Sequence, residues 1–230
     1  MTTLLYLSDT YLFESTATIR EIWENEHGRY IILDQTIFYP QWGGQPSDIG
    51  RISTGSCVFE VRKVRLDEHG VVYHFWEMLS GTIHIWDSVN LEIDHEVRIK
   101  NAMNHSAWHL IDVAIQRMGI DWKPTKWYHF PEGSYVEYSG TLSEEESILI
   151  DRINTTLSDL IEKDIPVIVS EKAISWWAPH GKKPRHVWYA WSTGCGCGGT
   201  HVRSSWEIWS MTIRKIKMKD GMIRVSYSIG

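Results

Sequence analysis

The sequence has few cysteines and no long apolar run. Its three cysteines are Cys57, Cys195 and Cys197, and so small and odd a number argues against a disulfide framework. No apolar run approaches the roughly 18 residues that a membrane-spanning helix needs. The first residues lack the basic segment that opens a signal peptide. We therefore expect a cytoplasmic, monomeric protein with no membrane partner.

Positive charge is scarce overall but concentrated in one part of the chain. The net charge is −6, which by itself disfavours a nucleic-acid partner. Residues 171–230, however, hold ten Lys and Arg against three Asp and Glu, so the excess of acidic residues lies in residues 1–170. A basic segment on an acidic body can steer a polyanion locally, although ordinary surface charge gives the same count. The thirteen tryptophans fit core packing first and base stacking second.

The first part of the chain is rich in predicted strands. Residues 58–64 alternate apolar and polar side chains, and a turn at 67–70 connects them to a second short apolar run. Residues 30–34 form another apolar run that is bounded by turn residues. These patterns predict an N-terminal β domain over residues 1–95.

The pattern changes to helical near residue 100. Apolar side chains then recur at three- and four-residue steps until Gly119, which predicts a helix. A second helix is predicted over 142–163, with Ser143 and Glu146 at the spacing of a capping box. Short strands and a hairpin at 219–221 follow. The sequence thus predicts an α+β fold whose second domain covers residues 96–230.

Two pairs of residues have the spacing of metal ligands. His105 and His109 lie four residues apart on the predicted helix, so both imidazoles share one face. Cys197 and His201 bracket two glycines, which allow a tight turn that brings a thiolate and an imidazole together. Either pair alone is weak evidence, since such spacings are common in cores and turns. Together they supply the four ligands of a tetrahedral N/S site, and this mixture suits zinc.

A third feature is the glycine-rich loop over residues 38–50. Its Gln45 and Asp48 have two interpretations: contact with a sugar, a phosphate or a partner domain, or a structural turn with an aspartate cap. The residues alone do not choose between these two interpretations.

The three features occur together, in this order, in one family. The segments LDQTIFYPQWGGQPSDIG (33–50), RIKNAMNHSAWHLI (98–111) and CGGTHVRSSWEI (197–208) resemble the editing domain of alanyl-tRNA synthetase and its free-standing AlaX-type relatives of medium length. The resemblance covers nearly the whole chain. It implies a small β-barrel-like N-terminal domain and a C-terminal α+β domain similar to the second domain of threonyl-tRNA synthetase.

The resemblance also implies an activity and a ligand set. The expected reaction is the ATP-independent hydrolysis of the ester that joins serine, or glycine, to tRNA(Ala). One zinc ion per chain would be held by His105, His109, Cys197 and His201. Thr36 is the candidate partner of the serine hydroxyl, or else an ordinary strand residue, and Gln45 is the second catalytic candidate. The expected tRNA contacts are the basic residues Lys182, Lys183, Arg185, Arg214, Lys215 and Lys217.

Several points stay open on the sequence alone. Catalytic zinc needs a free coordination position, so either His201 is displaced, or zinc holds the substrate amino group while a separate water attacks. Trp42, Trp108 and the Ser205-Trp206 pair depart from the family pattern, and these changes bear on substrate choice more than on metal binding. Cys195 is an alternative ligand. A zinc-containing tRNA- or protein-binding module without hydrolysis is the second hypothesis for the function.

Overall fold

The computed structural model describes residues 2–170 and 184–230. The chain divides into two compact units. Unit 1 consists of Met1–Trp42 and Pro46–Ile99, and unit 2 of Gly43–Gln45 and Lys100–Gly230. The division therefore falls a few residues after the position predicted from the sequence. Three residues of the glycine-rich loop group with unit 2, whereas the sequence assigned the whole loop to the first domain.

Unit 1 is built around a closed six-stranded barrel with the strand order β2-β3-β7-β6-β5-β8. Its inward side chains are large and apolar, as the alternation of residues 58–64 predicted. The buried core includes Ile19, Ile31 and Phe59. The predicted barrel-like domain is confirmed. The strands of unit 1 are β1 (Thr3–Leu4), β2 (Glu14–Asn25), β3 (Gly28–Leu33), β4 (Gln35–Thr36), β5 (Gly50–Ser53), β6 (Val58–Leu66), β7 (Val72–Ser80) and β8 (Ser88–Ile93).

A fully buried ion pair lies in unit 1. The guanidinium of Arg98 donates from Nε to both carboxylate oxygens of Asp48, at 3.0 and 3.1 Å, and a second nitrogen also reaches this carboxylate. Arg98 further donates to the carbonyl oxygens of Thr10 and Ile37. Asp48 accepts the backbone N–H of Tyr39. Asp48 is thus a structural residue, which decides between the two interpretations of its place in the loop.

Unit 2 combines two sheets with two helices, which confirms the α+β class. One sheet has the order β14-β15-β10-β9 and the other β11-β12-β13. Helix α2 packs on β14, where the Asn154 side chain bonds both backbone groups of Ile213. The elements are α1 (His95–Arg117), whose first five residues belong to unit 1, β9 (Lys123–Tyr128), β10 (Tyr135–Ser139), α2 (Glu146–Glu162), β11 (Val167–Ser170), β12 (His186–Tyr189), β13 (Cys195–Gly196), β14 (Met211–Lys219) and β15 (Met222–Ile229).

The helix starts differ from the predictions. Helix α1 begins five residues earlier than its apolar periodicity indicates, because Asp94 caps it by accepting the Val97 N–H at 3.0 Å. The capping box predicted for α2 is wrong: its N-cap is Glu145 in an extended conformation, without a side-chain cap. Ser143 therefore lies before the cap position. Among the described helices, none is long and apolar enough to cross a membrane.

Candidate metal centre

Helix α1 supplies the first two donors. His105 and His109 are separated by one helical turn, so they share one face, and both side chains are buried. Their ring centroids lie 5.5 Å apart. A long helix in the core of unit 2 is a rigid base for two imidazoles, as the sequence predicted.

The loop after β13 supplies the other two donors. Cys197 and His201 are both buried, at 6 and 4 % exposure. A Cβ placed on Gly199 would lie 2.4 Å from Cε1 of His105. Glycine at this position is therefore required by the close approach of the loop to the helix.

The four donors converge on one point. The distance from Nε2 of His105 to Sγ of Cys197 is 3.0 Å, and Sγ to Nε2 of His201 is 3.3 Å. One donor atom from each of the four residues lies within 4.8 Å of all the others. The two sequence pairs therefore form one group.

Burial sets the protonation of these donors. It lowers the pKa of His105 to about 3, and the Arg185 guanidinium acts in the same direction. Burial also lowers the pKa of His109 and His201 well below the ordinary value. The imidazoles are thus neutral, which is the form that binds a metal ion. Burial raises the pKa of Cys197, and both Arg185 and the backbone N–H of Gly199 oppose that rise.

The group fits a zinc ion by its chemistry. Three neutral imidazoles and one cysteine sulfur make up the mixed N/S donor set that zinc prefers. Nε2 of His109 is buried and has no hydrogen-bond partner among the described residues. A buried polar atom without a partner is costly, and a metal ion bound to this nitrogen would satisfy it.

A shell of polar contacts fixes the loop that carries Cys197 and His201. Gln45 is fully buried: its Nε2 donates to Oγ1 of Thr200 at 2.8 Å, and its Oε1 accepts the Thr200 N–H at 3.2 Å. Arg185 is also buried and donates to the carbonyl oxygen of Cys197 at 2.7 Å. The structure thus gives Gln45 a positioning contact, and a catalytic role for it stays a prediction. Spacing in the sequence did not reveal the contact of Arg185.

Cys195 lies beside the group but outside it. Its Sγ is 3.5 Å from Nδ1 of His109, and it is not one of the four converging donors. Burial and the neighbouring Cys197 raise its pKa. Cys195 therefore contacts the back of a ligand ring, as the residues around metal-bound histidines often do.

Trp108 joins an aromatic stack next to the ligands. Its ring lies 3.9 Å from that of His109 and packs nearly parallel to those of Trp127 and His129, with centroids 5.4 and 5.9 Å away. His129 is buried, and its ring is 4.7 Å from that of His105. His129 belongs to no pair with ligand spacing, so the sequence carries no signal that places it beside the group.

Thr36 lies in unit 1, where its hydroxyl has two partners. Oγ1 accepts the Phe38 N–H at 3.0 Å and lies 2.8 Å from Nε2 of His74. Because Nδ1 of His74 faces the Ile31 carbonyl oxygen, that nitrogen is the protonated one, and Thr36 donates to Nε2. The role of Thr36 in recognising serine stays a prediction.

The basic residues of the predicted tRNA contact lie in different environments. Arg214 and Lys215 are exposed on β14, and Lys217 on the same strand is half-buried. A register shift between Ile213 and Lys215 lets two consecutive basic side chains face solvent. Arg185 is buried under the Cys197 loop, so it does not belong to this surface. Lys182 and Lys183 lie outside the described residues.

We expect Gly199→Ala to weaken metal binding, because the added Cβ would displace the His105 ring. The predicted change is a drop in zinc affinity of about 10- to 100-fold, the size seen when residues that orient metal ligands are changed. Competition with a chromophoric chelator measures it. Gly133→Ala is the matched control, since nothing lies within 4 Å of a Cβ there. Equal zinc affinity for the two variants would contradict the contact.

The chain is similar in sequence to a known family model and to several known proteins. The family model described as tRNA synthetases class II (A) matches residues 7–97. The alanyl-tRNA editing protein AlaX-L of Pyrococcus horikoshii is 25% identical over 237 aligned positions, which cover 98% of this chain and 57% of that protein. The alanine–tRNA ligase of Methanosarcina acetivorans is 30% identical, over 94% of this chain and 24% of the ligase.

The alanine–tRNA ligase of Methanobrevibacter smithii is similar at 27% identity, over the whole chain and 27% of the ligase. The chain thus spans a little over half of AlaX-L and about a quarter of these ligases. The resemblance to the AlaX-type alanyl-tRNA editing proteins is confirmed.

Proposed function

We propose that this chain hydrolyses the ester that joins a wrongly attached amino acid to tRNA(Ala), with serine as its main substrate and glycine as a second one. The converging group of His105, His109, Cys197 and His201 carries this proposal. It is supported by the similarity of nearly the whole chain to a protein named for alanyl-tRNA editing. In the reaction, water adds to the carbonyl carbon, the ester C–O bond breaks, and the terminal adenosine recovers its hydroxyl.

Zinc is the metal that we propose for the group. When bound, a zinc ion supplies Lewis acidity at an ester carbonyl and favours deprotonation of water. The chain's own residues hold the donors in place: α1 fixes two imidazoles, and Gln45 fixes the loop through Thr200. The buried guanidinium of Arg185 favours the thiolate form of Cys197.

The tRNA contact that we propose is the basic edge of β14. Arg214 and Lys215 are exposed there, and β14 is the outer strand of its sheet. Exposed Lys and Arg on an outer strand also discourage pairing with another sheet, so the charge has a structural use as well. Phosphate contacts of this kind would add affinity without base specificity.

A second function has one observation in its favour. Four protein donors close a tetrahedral site, as in structural zinc centres. This number of donors supports a zinc-stabilised module that binds tRNA or protein without hydrolysis. Release of amino acid separates the two functions, because only the enzyme turns over.

The proposed function predicts release of serine from Ser-tRNA(Ala) by zinc-loaded protein, with slower release of glycine and little release of alanine. A panel of tRNAs that carry labelled amino acids measures it directly. Chelation followed by zinc addition is the control, and activity should be lost and then recovered. Intact esters on every mischarged tRNA, together with tRNA binding, would overturn the enzyme and support the binding module.

A further inference from the structure

Two buried polar atoms next to the metal group have no partner. Nε1 of Trp108 and Nε2 of His129 form no hydrogen bond with any described residue. The exposure of Trp108 is 5 % and that of His129 is 0 %. Unpartnered buried polar atoms are rare in folded proteins, and each needs an explanation. A second indole in the same unit shows the ordinary case: Nε1 of Trp122 donates to the Thr141 carbonyl oxygen at 3.0 Å.

The hydrogen-bond network assigns opposite roles to the two atoms. The Tyr227 hydroxyl donates to the Asn104 carbonyl oxygen at 2.8 Å, so it accepts from Nδ1 of His129 at 2.9 Å. With the proton on Nδ1, Nε2 of His129 is an acceptor. The indole Nε1–H of Trp108 is only a donor.

The two rings form one wall beside the ligands. They are nearly parallel, at 14°, with centroids 5.9 Å apart. His129 adjoins His105, and Trp108 adjoins His109. A group bound to the wall is therefore next to the place where the ester reacts under the proposed function.

We propose that Nε1–H of Trp108 and Nε2 of His129 recognise the side-chain hydroxyl of the aminoacyl group, and so make these two residues determinants of specificity for serine. A hydroxyl can donate one hydrogen bond to Nε2 of His129 and accept another from the Nε1–H of Trp108. Alanine and glycine lack this hydroxyl and would leave both buried atoms without partners, which is costly. This inference rests on the proposed function for its substrate.

The test uses zinc-loaded protein and non-hydrolysable analogues, in which serine or alanine is joined to 3′-aminoadenosine by an amide. The wild-type protein should bind the seryl analogue about ten- to a hundredfold more tightly than the alanyl analogue. His129→Phe and Trp108→Phe should each reduce this preference about tenfold and keep the aromatic stack. Trp122→Phe is the matched control, because it removes an indole N–H elsewhere in the unit and should keep the preference.

The outcomes separate this inference from the proposed function. The inference is overturned if His129→Phe and Trp108→Phe keep the preference for the seryl analogue. It is also overturned if the variants bind both analogues more weakly by the same factor, because that result indicates packing or a bound water. If the wild-type protein cleaves mischarged tRNA and both variants keep its serine-to-glycine ratio, only the inference fails. If the wild-type protein prefers the seryl analogue and cleaves no tRNA, only the proposed hydrolysis fails.

Discussion

Cys197→Ser should remove nearly all zinc from the protein and more than about a hundredfold of any deacylase activity. Changes to residues that merely orient ligands cost about 10- to 100-fold, whereas Sγ of Cys197 itself lies 3.0 Å from Nε2 of His105 and 3.3 Å from Nε2 of His201. A serine hydroxyl is a much poorer zinc ligand than a thiolate. Metal analysis of the purified protein and single-turnover deacylation measure the two effects.

Two controls define what this result means. Cys57→Ser makes the same chemical change at a buried cysteine of unit 1, and it should leave zinc content unchanged. Metal-free wild-type protein should melt at a lower temperature than the zinc-loaded form, because a metal that binds only the folded state stabilises it. Full zinc content in Cys197→Ser would show that the four donors are not the metal site.

The largest expected effect on stability comes from the buried ion pair of unit 1. Asp48→Ala leaves the fully buried guanidinium of Arg98 without its carboxylate. Breaking such a pair costs about 3–5 kcal/mol of unfolding free energy. The lost acceptor of the Tyr39 N–H adds to this cost. Urea unfolding followed by tryptophan fluorescence measures the change.

A second pair of variants tests the cause. Replacement of both partners, by Asp48→Leu with Arg98→Met, should recover part of the loss, because no unpaired charge is then buried. Recovery should be incomplete, since the Thr10 and Ile37 carbonyl oxygens lose their donor. Arg29→Ala removes an exposed ion pair with Glu24 and should change stability little. An equally small change in Asp48→Ala would refute the buried-pair argument.

The group of four converging donors was predictable because each of its two pairs is set by residues only four positions apart in the sequence. The spacing of His105 and His109 on a helix sets their common face, and the glycines between Cys197 and His201 allow the turn. Each pair alone was ambiguous, but together their ligand types matched one N/S site, and the resemblance of three ordered segments to one family then implied the same four residues. The structure adds the convergence of the four donors to within 4.8 Å.

Residues that act through partners far along the chain were not predictable in this way. Arg185 has the charge of a surface residue, and only the fold shows that it supports the Cys197 carbonyl. Gln45 lies in a loop, but its partner Thr200 is 155 residues away. The capping box at Ser143 failed because a local motif competes with the packing that sets where α2 begins.

The sequence by itself determined the α+β class, the strand-rich first part, the helix with two histidines and the four residues that converge. Those features follow from side-chain periodicity, turn chemistry and ligand type, which act over a few residues. The tertiary structure alone decided the closed barrel order, the burial of Arg98 with Asp48, and the stack of Trp108 with His129. Burial and pairing between distant segments change the solvation and partners of a side chain, and no local pattern records them.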